Sequence, residues 1–402
     1  MASLTLAEGG SRLLSFAFYL LAAHTLTTAG FGEVRYTITL SALAFAVGQV
    51  VVTGLARELG AARGDADRTG AVLGSSLAAA AVVVGASAVV AAAAVAAGAL
   101  PGANALGLLV TLGGLAVFQL YYGIGRGIGE SLRPALTYVG GSLAQLVVFA
   151  AIALVADPGP TIALVVYGLA SVVPVAWLEA TRPVVRGRDL RVDRATLARL
   201  WRIGAPLLVA AVGYLVWLSA DQIWVATTMD RHDVGLYGAA KTLAQLFIVV
   251  PAGVGGVLLP RIAELVAGGR DRAARHLAWG STAGVLGLSA ALAVVVAAFR
   301  GDLLAALFGA PYRAAAPALG GLVVGMTLYA GFATLTTAAV GWGRPRAYAF
   351  GVAVAAAVEL TILLAAGGDS IATAAWASAA AIGAGFAAVL ALLALRPLRR
   401  GD

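Results

Sequence analysis

The chain has 402 residues, a mean hydropathy of +0.94, 61% hydrophobic residues and 11% charged ones. Such a composition excludes an ordinary soluble domain and reads as an integral membrane protein with several spans. A net charge of +8 would suit a nucleic-acid binder, but the basic residues sit in short joints between apolar runs, where they have a topological role instead.

Cysteine is absent, which excludes thiol chemistry and disulfides. His24, His232 and His276 are scattered without metal-ligand spacing, so no metal and no other cofactor is expected.

Apolar runs predict twelve transmembrane helices. Six cover about 8–27, 34–57, 70–100, 105–125, 135–156 and 161–180. Arg12 followed by LLSFAFYLLAAHTLTTA resembles a secretory signal, but the run has a counterpart in the second half and reads as a retained span. Next comes TRPVVRGRDLRVDRATLARLWRIG, with Arg182, Arg186, Arg188, Arg191, Arg194, Arg199 and Arg202. Here Asp193 is expected to cap a short helix whose Leu197, Leu200 and Trp201 share one face, an arrangement suited to the membrane interface. The alternative is a plain charged linker. Six more spans follow at about 203–227, 235–259, 278–299, 315–340, 348–366 and 371–395.

Arginine placement sets the orientation. With both termini cytoplasmic, only Arg35, Arg231, Arg300 and Arg313 fall outside and Lys241 falls within a span, while the other cations, Arg396, Arg399 and Arg400 included, lie inside.

The halves match each other. FGEVRYTITLSALAFAVGQVVVTGLARELGAARG parallels VGLYGAAKTLAQLFIVVPAGVGGVLLPRIAELVAGG. LGGL recurs at Leu112 and Leu319, and Arg133-Pro134 recurs as Arg344-Pro345. Because six spans return the chain to its starting side, the repeats are parallel, as in transporters whose site lies between two lobes. The expected fold class is therefore all-α integral membrane, with twelve helices in two six-helix lobes around a central cavity. Its parts are an N-terminal lobe (1–181), a basic cytoplasmic linker (182–202) and a C-terminal lobe (203–402).

An ionisable group inside a span costs roughly 2.5–3.5 kcal/mol on insertion scales and needs a local reason. Glu359 lies near the middle of the eleventh span, as an ion-coupling group or as a hydrogen-bonded packing carboxyl; Gln145 and Gln245 sit at similar depth. Asp221 and Lys241, on adjacent antiparallel spans, are placed to form an ion pair, or Lys241 faces an anionic headgroup. Arg12 and Arg35 begin the first two spans from opposite sides, as interfacial anchors or cavity cations. His24, in the outer third of the first span, reads as a hydrogen-bonded packing residue or as a coupling group. GIGRGIG (123–129) looks like a phosphate loop, but no strand precedes it and it closes a span, which points to small-residue packing. No nucleophile with a base and no extramembrane carboxylate pair occurs, so an enzyme is not expected.

SADQIWVATTMDRHDVGLYGAAKTL, VLLPRIAEL and LFGAPYRAAAPALGGLVVG resemble the lipid-linked oligosaccharide flippases, the polysaccharide-exporter branch of the multidrug/oligosaccharidyl-lipid/polysaccharide exporter superfamily. The matching positions are Asp221, Gly235 with Tyr237, Pro260 ending a span, and Phe308-Gly309 with Tyr312; FGEVRY and the Arg57 region carry it in the first half. The resemblance implies a cavity formed largely by spans one, two, seven and eight, with Arg12, Arg35 and Lys241 meeting the headgroup. It implies a polyprenyl-diphosphate-linked saccharide as substrate, moved by alternating access across the cytoplasmic membrane during polysaccharide or lipopolysaccharide biosynthesis. Membrane lipid surrounds such a protein; a monomer is expected, with glycosyltransferases or a polymerase as pathway partners and no nucleic acid. The main alternative is a cation-coupled multidrug efflux transporter of the same superfamily, which predicts acidic rather than basic cavity residues.

Overall fold

The computed structural model describes residues 2–46, 48–96, 102–130, 132–185, 187–368 and 370–395. Arg186, Arg396, Arg399 and Arg400 of the orientation argument lie outside them. The described chain is helical throughout and is that of a multi-pass membrane protein. Nine stretches among the described residues are long and apolar enough to cross a membrane. Contacts divide the chain into two compact units, Met1–Leu215 and Val216–Asp402.

The first unit holds α1 (Ala2–Thr25), α2 (Thr28–Ala44), α3 (Gly48–Ala61), α4 (Ala66–Ala96), α5 (Gly102–Ile128), α6 (Leu132–Val155), α7 (Pro160–Ala170) and α8 (Val172–Thr181). α5 is its hub, in contact with α2, α3, α4, α6 and α7, while α1 lies along α6. Association within lipid relies on close approach rather than on hydrophobicity, so small residues mark the contacts. A Cβ built on Gly168 of α7 would stand 2.7 Å from the Val110 carbonyl carbon of α5, and one on Gly127 would stand 2.7 Å from the Leu59 Cβ. GIGRGIG is thus packing glycine, ending in Gly129 at φ +79°.

Two predicted spans are each two helices. The run 34–57 breaks between α2 and α3, where the Phe45 ring fills the space a side chain on residue 48 would need. The run 161–180 breaks at Ser171, because Pro174 in the first turn of α8 has no N–H to offer the Ala170 carbonyl.

The central basic segment is fastened to the first unit rather than hanging free. Glycines at 70 and 74 on α4 let the backbone of Asp189 and Arg191 approach closely. The Asp193 N–H donates to Ser75 Oγ (3.0 Å), and the Asp193 carboxylate accepts from the N–H groups of Ala195 (3.2 Å) and Thr196 (2.8 Å). The expected cap is present, but its helix is not short: α9 runs unbroken from Arg194 to Thr228. Nor do the three apolar residues share a fate, since Leu200 is 2% exposed and Trp201 53%. Arg199 and Arg68 both reach Glu58, at 3.3 and 3.2 Å.

The second unit holds the later part of α9, then α10 (Arg231–Ala244), a 3-10 turn (Gln245–Ile248), α11 (Val249–Ala267), α12 (Asp271–Ala298), α13 (Arg300–Phe308), a second 3-10 turn (Ala310–Ala315), α14 (Ala316–Gly341), α15 (Pro345–Ala365) and α16 (Ile371–Leu395). α14 is the hub, touching α10, α11, α12, α15 and α16. The predicted span 235–259 is interrupted by the first 3-10 turn because Pro251 cannot donate to the Phe247 carbonyl. Pro260 does not end a helix; it lies inside α11, which continues to Ala267.

The FG-x-x-Y motif has a structural cause. Gly309 sits at φ +108°, open to glycine but strained for other residues, and the turn it makes buries Phe308 and Tyr312 with ring centroids 5.8 Å apart.

Candidate functional site

Four of the residues singled out in the sequence meet in the second unit. α9 supplies Asp221, α10 supplies Tyr237 and Lys241, α15 supplies Glu359 and α16 supplies Ser378. Tyr237 and Lys241 are four residues apart and therefore share one face of α10.

Lys241 Nζ lies 2.5 Å from Asp221 Oδ1 and also donates to the Leu218 carbonyl at 2.7 Å. The Tyr237 hydroxyl donates to the other carboxylate oxygen, Asp221 Oδ2, at 2.5 Å. Gly235-x-Tyr237 is not a turn but lies inside α10, where Tyr237 brings a phenol to a buried carboxylate. Asp221 and Lys241 are 1% and 5% exposed, so the pair is screened neither by water nor by salt.

Glu359 is fully buried within electrostatic reach of Asp221 and Lys241 and beside Ser378. Neither of its oxygens has a hydrogen-bond partner among the described residues. Asp221, Lys241, Gln245 and Ser378, with Trp217 and Met326 among the apolar walls, line a cavity of about 20 Å³. That is room for one water-sized species. Two carboxyls facing one ammonium leave the cluster one positive charge short when both are ionised. The sequence offered Glu359 no partner because α15 is more than a hundred residues distant from α10.

Other residues singled out in the sequence lie in the first unit. Arg35 of α2 is 5% exposed, its guanidinium sits 4.5 Å over the Tyr19 ring, and its Nε has no partner among the described residues. Arg12 and His24 are both exposed on α1 and stand about 18 Å apart at about 1.5 Å per residue, so they do not form one site. His24 occupies the last turn of α1, where a positive charge would suit the helix dipole.

A second buried network escaped sequence reading. Arg133 of α6 contacts the Tyr121 hydroxyl, Glu130 (3.1 Å) and Glu179 (3.9 Å), and donates to the Arg182 carbonyl at 2.8 Å. The Arg-Pro pair at 133–134 is therefore a clasp between α5, α6 and α8. Apart from Glu130, three residues before Arg133, its members are far apart in sequence, on α5, on α8 and just after α8.

No protein-family model matches the chain, and no curated protein matches it by sequence. Solved structures do share its fold. An inward-facing multidrug resistance MATE family transporter of the MOP superfamily aligns over 98% of this chain and 95% of its own, with 16% identity and a TM-score of 0.73. The lipid II flippase MurJ, in an inward closed conformation, aligns over 97% and 87%, with 10% identity and a TM-score of 0.81. A MOP superfamily transporter from Pyrococcus furiosus, noted for reversed polarity of its binding pocket, aligns over 98% and 95% at 15% identity and a TM-score of 0.66. The fold is that of MOP-superfamily transporters, and these neighbours are transporters and a flippase rather than enzymes.

Proposed function

We propose that this protein is a flippase of the polysaccharide-exporter branch, carrying a polyprenyl-diphosphate-linked oligosaccharide from the inner to the outer leaflet of the cytoplasmic membrane. In this reading twelve spans form two six-helix lobes with both termini cytoplasmic, and alternating access exposes the cavity to each side in turn. The polar head crosses through protein while the lipid tail stays in the bilayer.

One observation carries the choice of cargo. Asp221 and Glu359, the two carboxyls singled out within the spans, are buried at 1% and 0% exposure, whereas Arg12 is exposed and Arg35 keeps an unused N–H. A cation carrier needs carboxylates it can reach; a diphosphate needs a cation it can reach, here Arg12 first, since Arg35 and Lys241 are each 5% exposed. Outward movement of an anion with the inside negative also gains about 2.3 kcal/mol per charge per 100 mV.

Lys241 is the third cation of the proposed headgroup site, and Asp221 holds it in this structure. A proton or monovalent cation entering beside Glu359 would supply the missing positive charge and weaken that hold. The cluster is thus proposed as the coupling element as well. His24 is not needed for this step.

The same cluster favours a second reading, cation-coupled efflux of small compounds, since a buried site short of one positive charge suits an ion-driven exchanger. Uptake by everted vesicles separates the two. The flippase reading expects uptake of labelled lipid-linked saccharide and none of a cationic dye; the opposite result establishes efflux.

A further inference from the structure

The first unit contains a cavity of about 140 Å³ between α1, α5, α6 and α7. Each helix turns a stripe towards it at helical spacing: Ser11 and Ser15 on α1; Thr111 and Phe118 on α5; Tyr138, Ser142 and Gln145 on α6; Tyr167 on α7, with Ser171 at its C-terminal cap. Polar stripes on membrane helices face the bundle interior, and here they carry hydroxyl, amide and aromatic groups, with no charged residue in the lining among the described residues.

The groups are ordered against one another. Ser142 Oγ is shared by Ser11 Oγ (2.7 Å) and Ser15 Oγ (3.2 Å). Gln145 is 5% exposed; its Nε2 donates to the Tyr167 carbonyl (3.0 Å) and Ser171 Oγ (3.4 Å), while Oε1 is left with no partner among the described residues. An orphaned amide oxygen inside a membrane protein is costly unless a donor arrives to meet it. Phe118 and Tyr138 pack edge to face at 4.7 Å and supply an apolar wall.

We infer that this cavity binds one uncharged sugar ring. A pyranose presents hydroxyls around its rim and C–H bonds on its faces, matching a lining of rotatable hydroxyls, one free acceptor and aromatic rings. Every hydroxyl of the lining can donate or accept, so the pocket suits a ring of several stereochemistries. A carboxylate or ammonium ligand is disfavoured, because no lining residue among the described ones is charged to offset its desolvation. The volume admits a single ring, so the remainder of a glycan would lie elsewhere. As an account of how cargo is chosen, the inference rests on the flippase reading; as a binding site it does not.

The full chain in nanodiscs is labelled with an uncharged diazirine-bearing hexoside, and the modified peptides are identified by mass spectrometry. The expected result is labelling within 138–145 and 167–171, suppressed by excess methyl hexoside but not by cyclohexanol. Gln145→Leu, checked for folding by its melting curve, should lower labelling about tenfold, because the ligand loses its hydrogen bond to the free amide oxygen. If that variant fails to fold, Gly141→Leu serves instead. The 141 Cβ has only ordinary neighbours, the nearest at 3.7 Å, so the larger side chain fills the cavity.

Labelling elsewhere, or labelling unchanged in the folded variants, overturns the inference. Binding of sugar-free polyprenyl diphosphate is measured on the same samples and should be equal in wild type and Gln145→Leu. If wild type fails to bind that lipid while hexoside labelling persists, the flippase reading fails and the sugar pocket stands.

Discussion

Lys241 and Asp221 form a buried ion pair 2.5 Å apart, and the carboxylate's second oxygen is held by Tyr237. A pair so enclosed is expensive to split, because whichever partner remains is an uncompensated charge. Lys241→Met should therefore cost about 3–5 kcal/mol of stability. The double variant Lys241→Met/Asp221→Leu should recover most of that loss, seen as a melting temperature nearer to wild type. Transport should not recover with it. Equal stability of the single and double variants would mean that the pair is not buried as a unit.

Glu359 tests the coupling role. Glu359→Gln keeps the shape and removes the surplus negative charge of the cluster. The variant should fold at least as well as wild type, since a buried carboxyl without hydrogen-bond partners is itself a cost. Its transport should lose dependence on a proton or sodium gradient in everted vesicles. A gradient dependence identical to wild type would assign Glu359 to packing alone.

Arg35 separates the cargo readings. Hydrogen bonds to charged groups are worth about 1.5–3 kcal/mol, so Arg35→Gln should weaken binding of a lipid diphosphate about ten- to hundredfold. Arg35→Lys should restore charge but not the planar contact over Tyr19, giving intermediate binding. Equal binding by all three proteins would leave Arg35 a packing residue.

Asp193 should make the basic segment acid-labile. Its carboxyl is held below the ordinary aspartate value, first by the Thr196 hydroxyl, then by the N–H groups of Thr196 and Ala195, with Arg199 adding its charge. A depressed folded-state value means that the cap stabilises wherever the group is ionised. That contribution is present above the usual aspartate range and disappears as pH falls through the lowered value. Proteolysis around 187–193 should accelerate only at such acid pH in wild type. Asp193→Asn, which caps without ionising, should show a flatter profile.

The apolar runs were legible in the sequence because lipid demands that every backbone group be satisfied within a helix, which forces long uninterrupted stretches. The breaks inside them were not. The place of the Phe45 ring beside residue 48 exists only in the folded chain, and Pro251 and Pro174 sit in apolar runs whose hydropathy carries no mark of a missing N–H. The Asp221–Lys241 pair was legible because adjacent antiparallel spans bring similar depths together. Glu359 joining it was not, since that depends on how α15 packs against α14 and α16, its neighbours in the second unit. The hydroxyl pocket was scattered over four helices as isolated Ser, Thr and Gln residues, each unremarkable alone.

The two LGGL sequences yield the last prediction. Within each, the glycines have opposite surroundings. A Cβ on Gly113 or Gly320 meets nothing within 4 Å, whereas one on Gly114 would stand 2.7 Å from the Gly168 carbonyl carbon and one on Gly321 would stand 3.0 Å from the Ala375 carbonyl carbon. The same position in both repeats thus brings a neighbouring helix to backbone contact, α7 in the first unit and α16 in the second. Gly114→Val and Gly321→Val should each cost about 1–3 kcal/mol, the usual toll of overpacking, and the helix pair should be forced apart. Gly113→Ala and Gly320→Ala should be neutral or slightly stabilising, since alanine is the better helix former by about 1 kcal/mol. Melting curves of the four variants in detergent check this. A matched pattern across the halves would tie the repeat to a shared packing rule, and four equal melting temperatures would reduce LGGL to a coincidence of composition.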